Sequence, residues 1–171
     1  MTAAVKPTDA HSMAGKIRGL RITALAGLVM LLLEYGLGVW TNLYAHLPAS
    51  DHGKATFAAF GRAVAHGPAG LALHALLGTL LVVTAVSVVV RAALARQAAP
   101  IVLGCVALLA ILAAWFSGTK FVSDAANGAS FGMALATAVA LLGYAIILFI
   151  AIPASDRGTV RPVADQTVRG G

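Results

Sequence analysis

Four long apolar stretches alternate with short polar segments along this chain. Their predicted bounds are 22–47, 65–90, 101–118 and 131–152. About 20 consecutive apolar residues are enough for an α-helix to cross the hydrocarbon core of a bilayer, and the third stretch reaches that length when residues 117–122 continue it. The pattern predicts an all-α integral membrane protein, a four-helix up-down-up-down bundle with short connections.

Polar segments flank the four spans and separate them. We predict a mobile cytoplasmic tail over residues 1–20, a transmembrane domain over 21–153 that ends at a proline, and a second cytoplasmic tail over 154–171. The first apolar stretch is too long for the apolar core of a signal peptide, and no clear small-residue cleavage site follows it. It is therefore predicted to remain in the protein as the first span.

Composition narrows the class of protein further. Hydrophobic residues make up 60% of the chain and charged residues 11%, and the mean hydropathy is +0.90. A typical soluble domain is about 45–50% apolar and about 25% charged, so a soluble globular domain, a disordered tail and a disulfide scaffold are excluded. The single cysteine, Cys105, lies within an apolar run, and we expect it to be a small core residue.

The basic residues predict the orientation of the bundle. Lys54, Arg62 and Lys120 fall on one side of it, and the other nine of the 12 lysines and arginines fall on the opposite side. Because basic residues prefer the cytoplasmic side, both termini are predicted to be cytoplasmic, in a plasma-membrane protein. This bias explains the net charge of +6 without nucleic acid as a partner. The expected partners are the lipid bilayer and either other membrane-protein subunits or further copies of this chain.

Glu34 lies at the centre of the first span. Because an ionisable residue is costly at that depth, Glu34 is a candidate functional residue. Helical spacing puts Gly38, Thr41 and Asn42 on the same face as Glu34, so this stripe of small and polar residues must face the bundle interior. The carboxyl group is either paired with a neighbouring group or protonated. Glu34 and Asn42 are therefore interpreted either as buried structural polar groups or as proton-linked ones.

His74 is the second ionisable residue within a span. Gly70 and Gly78 stand one turn before and one turn after it, on the same face of the helix. Glycines beside a histidine allow a flat or bulky group to approach the backbone, either a neighbouring helix or a porphyrin. The alternative is a neutral histidine that hydrogen-bonds to Glu34 or Asn42.

Counting from the basic residues at the cytoplasmic end gives the relative depth of these groups. His74 is 17 residues from Arg91, and Gly38 is 17 residues from Arg21. His74 and Gly38 should therefore be level, with Glu34 about one turn, roughly 6 Å, deeper in the membrane. We expect the side chains of Glu34 and His74 to meet or to share a bound group.

Three further histidines are predicted to lie near the outer surface. By the same count His66 is level with His46, and His52 lies in the loop between the first two spans. Three imidazoles are able to hold zinc or copper, so this trio is a candidate metal site. The alternative is that these interfacial histidines are only solvated.

The segment from His74 to Gly78 reads His-Ala-Leu-Leu-Gly and is similar to a segment of a known membrane-protein family. In a second span that follows a glycine-bearing first span, it resembles one half of the haem A synthase type of four-helix membrane protein. In that group the second and fourth helices each supply a histidine, and a b-type haem lies between them. The resemblance implies that His74, or His66, is an axial ligand of haem b.

The fourth span departs from that pattern. It contains no histidine, and the Glu-x-x-His-Arg pattern of the synthase is absent. Met133 stands nearest to the expected place, where it is either a thioether ligand of the iron or a packing residue. Segments 42–44, 65–67 and 129–133 are also similar to small four-span bacterial membrane proteins of actinobacterial type, a similarity that implies no function.

Three functions remain open on this sequence. The first is a haem-binding protein that handles electrons or haem. The second is an accessory subunit of a larger membrane complex, with no cofactor. The third is a small proton-linked transporter that uses Glu34 and His74. No nucleophile motif is visible, so independent catalytic activity is not expected.

Overall fold

The structure is a computed structural model that describes residues 7–44, 56–124 and 127–151. Within these ranges the chain forms helices only. They are α1 (Pro7–Tyr44), α2 (Thr56–His66), α3 (Ala69–Leu94), α4 (Ala98–Asp124) and α5 (Asn127–Ile150). All except α2 are long and apolar enough to cross a membrane. The chain is therefore an all-helical, multi-pass membrane protein that contacts a lipid bilayer.

The four long helices correspond to the four apolar stretches, with different bounds. The second span begins at Ala69 rather than at residue 65, because Pro68 disfavours helical backbone in the residue before it and separates α2 from α3. The carbonyl of Pro68 then accepts the first backbone hydrogen bonds of α3. The third span continues to Asp124, so it includes residues 117–122 and reaches full spanning length.

The long helices form a closed ring in which each one packs against two others. Helix α1 contacts α3 and α5, and α4 contacts the same two helices. The contacts run in opposite order along α1 and α3, since Gly38 lies against His74 and Gly19 lies against Arg91. Helix α2 is short and packs against α3 and α4 at one end of the bundle.

Small residues allow the helices to pack closely in the half of the bundle that carries Arg91. A Cβ on Gly143 would lie 3.4 Å from the Cβ of Ala107, so α5 packs directly on α4. Ala140 on the same helix is also completely buried. Tyr144, fully buried, fills the space that the absent side chain of Gly27 leaves on α1.

The outer surface of the ring is apolar, as contact with lipid acyl chains requires. Leu109 and Phe149 are 66% and 78% exposed. Cys105 is also exposed, so the expectation of a core residue is wrong. The buried face of α4 passes through Gly104 and Ala107, and Cys105 lies about 100° around the helix from Gly104.

We expect Gly27→Ala to destabilise the protein, because the new Cβ would lie 2.7 Å from Cε2 of Tyr144. Overpacking of this kind costs about 1–3 kcal/mol. Gly36→Ala is the matched control on the same helix, since no atom lies within 4 Å of its added Cβ. Thermal unfolding in detergent measures the effect, and only Gly27→Ala should have a lower melting temperature than the wild type. Equal melting temperatures for the two variants would contradict this packing.

Candidate functional site

Two ionisable side chains meet inside the bundle. Nδ1 of His74 lies 3.0 Å from Oε1 of Glu34, and the two side chains are 17% and 13% exposed. The ring geometry does not direct a hydrogen from Nδ1 at the carboxylate oxygen, so the contact is a short polar contact rather than an aligned hydrogen bond. The contact agrees with the depth count, which places these side chains within reach of each other.

Two glycines provide the space for this pair. A Cβ on Gly78 of α3 would lie 2.9 Å from Oε1 of Glu34, and a Cβ on Gly38 of α1 would lie 3.1 Å from Cε1 of His74. Each helix thus has a glycine opposite the polar side chain of the other. Similarly, the indole ring of Trp40 occupies the space beside Gly70. The groups that approach these glycines are side chains of the neighbouring helix.

The Glu34–His74 pair lines a cavity of about 210 Å³ in the half of the bundle away from the Arg91 end. All four long helices contribute to its wall. The polar lining consists of Glu34, Thr41, His74, Thr119, Ser130 and Thr137. The remaining wall is mostly apolar or aromatic, and it includes Tyr35, Trp115 and Met133. The cavity therefore combines a few polar groups with a hydrophobic surround, which is typical of small-molecule sites.

Two polar oxygens at this cavity are buried without a hydrogen-bond partner among the described residues. They are Oε2 of Glu34 and Oγ1 of Thr41, whose residue is only 5% exposed. The hydroxyl groups of Thr119 and Thr137, in contrast, donate to backbone carbonyls of their own helices at 2.7 and 2.8 Å. An unsatisfied buried polar group costs about 1–3 kcal/mol. Both residues line the cavity, so two oxygens at its wall lack a hydrogen-bond donor.

Trp115 is part of this site, although its sequence position suggests only an interfacial aromatic residue. Its indole Nε1 donates to Oγ1 of Thr79 at 3.3 Å, and its ring lines the cavity. Helical spacing in the sequence indicates that Trp115 and Thr119 share a face of α4, because they are four residues apart. On α5, Ser130 and Thr137 are seven residues apart and likewise share a face.

Of the other predicted site residues, Met133 lines the cavity and His66 does not. Sδ of Met133 lies 3.5 Å from the Cβ position of Gly118. His66 is exposed at the end of α2. Asn42 belongs to α1, but its side chain lies outside the described part of the structure, as do His46 and His52. The described residues contain no group of three or more metal-ligating side chains, so the histidine trio stays a prediction.

The side chains at the cavity are suitable ligands for the iron of haem b, whereas the volume of the cavity is too small for the porphyrin. A metal-bound histidine usually directs its other ring nitrogen towards a carboxylate or carbonyl, as Nδ1 of His74 faces Glu34. Met133 lines the same cavity from α5. However, a volume of about 210 Å³ is below the range of roughly 300–1,000 Å³ of ligand pockets. A porphyrin would require the helices to move apart.

Comparisons of the chain with protein-family models, with curated proteins and with solved structures find no match. The resemblance to the haem A synthase type therefore stays a prediction.

We expect Glu34 and His74 to be energetically coupled. In a double-mutant cycle of Glu34→Gln and His74→Gln, unfolding in mixed micelles should give a coupling free energy of about 1 kcal/mol, as found for polar pairs between membrane helices. Ser87→Ala is the control for His74→Gln, since the Ser87 hydroxyl donates only to the carbonyl of Val83 on its own helix. Glu34→Gln and Ser87→Ala should be additive. Additivity of Glu34→Gln with His74→Gln as well would refute the coupling.

Proposed function

We propose that this chain is a small proton-linked membrane transporter in which Glu34 and His74 bind the transported or coupling proton. The observation that supports the proposal is the contact between these two side chains at a cavity, with one carboxylate oxygen left unpartnered. An acid and a base in contact within a membrane span are able to hold a proton between them, and such residues commonly belong to proton pathways.

The unpartnered oxygen favours this function over a purely structural role. Buried polar groups that serve only packing are normally hydrogen-bonded, because an unsatisfied one destabilises the fold. Here Oε2 of Glu34 and Oγ1 of Thr41 have no partner among the described residues, and both residues line one cavity. The arrangement suits a site that receives a proton or a further hydrogen-bond donor in the course of its function.

The proposal includes an orientation in the plasma membrane. With an up-down-up-down order of helices and cytoplasmic termini, the distribution of basic residues favours a cavity in the outer half of the bilayer. The cytoplasmic half would then be the closely packed core around Tyr144 and Ala140. Passage through that half requires a change in helix packing or the participation of a second copy of the chain.

Infrared difference spectroscopy during a pH change tests the proton site directly. The reconstituted wild-type protein should show a carboxylate band that shifts when the Glu34–His74 site gains or loses its proton, and Glu34→Gln should lack this band. Ser87→Ala, a change of a hydroxyl on α3 outside the cavity, should retain the band. In liposomes with an internal pH-sensitive dye, Glu34→Gln should also abolish proton-driven flux. An identical difference spectrum for wild type and Glu34→Gln would exclude the proposed site.

Haem b binding is a second candidate, favoured by the presence of His74 and Met133 on the same cavity. The test is the absorption spectrum of the purified protein, oxidised and reduced, before and after addition of haemin. A haem protein would show a Soret band and sharp bands on reduction. His74→Ala should remove them, and Met133→Leu should alter the reduced bands if sulfur is the second axial ligand. A flat visible spectrum after haemin addition would exclude haem b binding.

A further inference from the structure

We propose that the cavity binds a small primary ammonium ion, a protonated amine with a short hydrocarbon chain, in exchange for the proton held by Glu34 and His74. The inference rests on the proposed proton site and names the class of its substrate. It is based on the charge of the cavity, the position of its unpartnered oxygens and the character of its wall.

The charge of the cavity favours a cation. Its ionisable lining residues are Glu34 and Tyr35 on α1 and His74 on α3, and neither α4 nor α5 contributes one. Among the described residues, no lysine or arginine is part of the wall. When the imidazole is neutral and the carboxyl group is ionised, the cavity carries a single negative charge in a medium where an unpaired charge is costly. One positive charge restores neutrality, either as a proton on His74 or as a bound cation.

The two carboxylate oxygens of Glu34 separate these roles. Oε1 contacts Nδ1 of His74 and is the proton side of the site, whereas Oε2 is buried and has no partner among the described residues. Oγ1 of Thr41, also unpartnered, offers a second acceptor at the same cavity. Acceptors of this kind call for N–H donors, which a primary ammonium supplies and a quaternary ammonium lacks.

The rest of the wall suits a short hydrocarbon chain better than a hydrated metal ion. Leu31, Leu71 and Ile111 line the cavity together with the rings of Tyr35 and Trp115. Aromatic rings attract ammonium groups through their electron-rich faces. A hard metal cation requires about six or more oxygen ligands, but Glu34 supplies the one carboxylate among the described residues that line the cavity.

Proton and ammonium ion then exchange with balanced charge. The ammonium enters beside Oε2, and its positive charge disfavours a second positive charge on the nearby imidazole. The imidazolium of His74 therefore releases one proton, and the net charge of the cavity stays the same. Departure of the ammonium reverses the step. Each bound cation should displace about one proton at a pH where His74 is protonated.

Isothermal titration calorimetry with n-butylammonium chloride tests this exchange. Repeating the titration in buffers of different ionisation enthalpy gives the number of protons released, expected to be about one. n-Butanol, the neutral analogue, and butyltrimethylammonium, which has no N–H donor, should each bind at least tenfold more weakly. Ser87→Ala should behave as wild type, since its hydroxyl lies outside the cavity wall.

Variants separate the two sides of the site. Glu34→Gln should lose n-butylammonium binding, and Thr41→Val, which preserves shape, should weaken it several-fold while proton release continues. His74→Gln should retain binding but release no proton. If n-butanol binds as well as the ammonium, or if Thr41→Val and Glu34→Gln both bind it normally, the ammonium site is overturned. Equal binding of sodium ions would instead assign the site to an inorganic cation.

The two proposals fail in different ways. A Glu34-dependent infrared band without ammonium binding would leave the proton site and reject the substrate class. Ammonium binding without proton release and without that band would leave a cation site and reject both the exchange and the proton-linked function.

Discussion

The burial of the Glu34 carboxyl group is the constraint on which the rest of the site depends. Hydrocarbon offers no hydrogen-bond partner, so the side chain must face inward and find its contacts on neighbouring helices. His74 provides one contact at 3.0 Å. That distance is possible because Gly38 and Gly78 leave room for the imidazole and the carboxylate beside the opposing backbone.

The bundle is divided along its length into two unlike halves. The half with Arg91 is filled by a core in which Tyr144, Ile147, Leu20 and Val88 are fully buried. The other half contains the cavity and the polar side chains that line it. Dense packing in one half provides a rigid base, and the second half keeps space for a ligand beside the acid–base pair. The proposed transport function needs both properties, a stable frame and a site that is able to change its occupant.

Much of this fold follows from the sequence. The four spans, the inward direction of Glu34 and its meeting with His74 follow from apolar stretch lengths, helical spacing and depth counted from basic residues. Other features do not follow from it. The break between α2 and α3 depends on Pro68 within a stretch that otherwise reads as one span. Cys105 lies in an apolar run that reads the same whether it faces lipid or core, because lipid and core are both apolar.

The sequence by itself therefore determined the class of protein, the number of spans and the positions of Glu34 and His74 within them. Only the tertiary structure decided which groups surround them. Trp115, Thr119, Met133 and Thr137 come from helices far along the chain, and nothing local ties them to Glu34. The structure also decided that Trp40 and Glu34 fill the spaces at Gly70 and Gly78. A glycine in the sequence only permits a close approach, and the packing of the neighbouring helix determines whether a group approaches and which one.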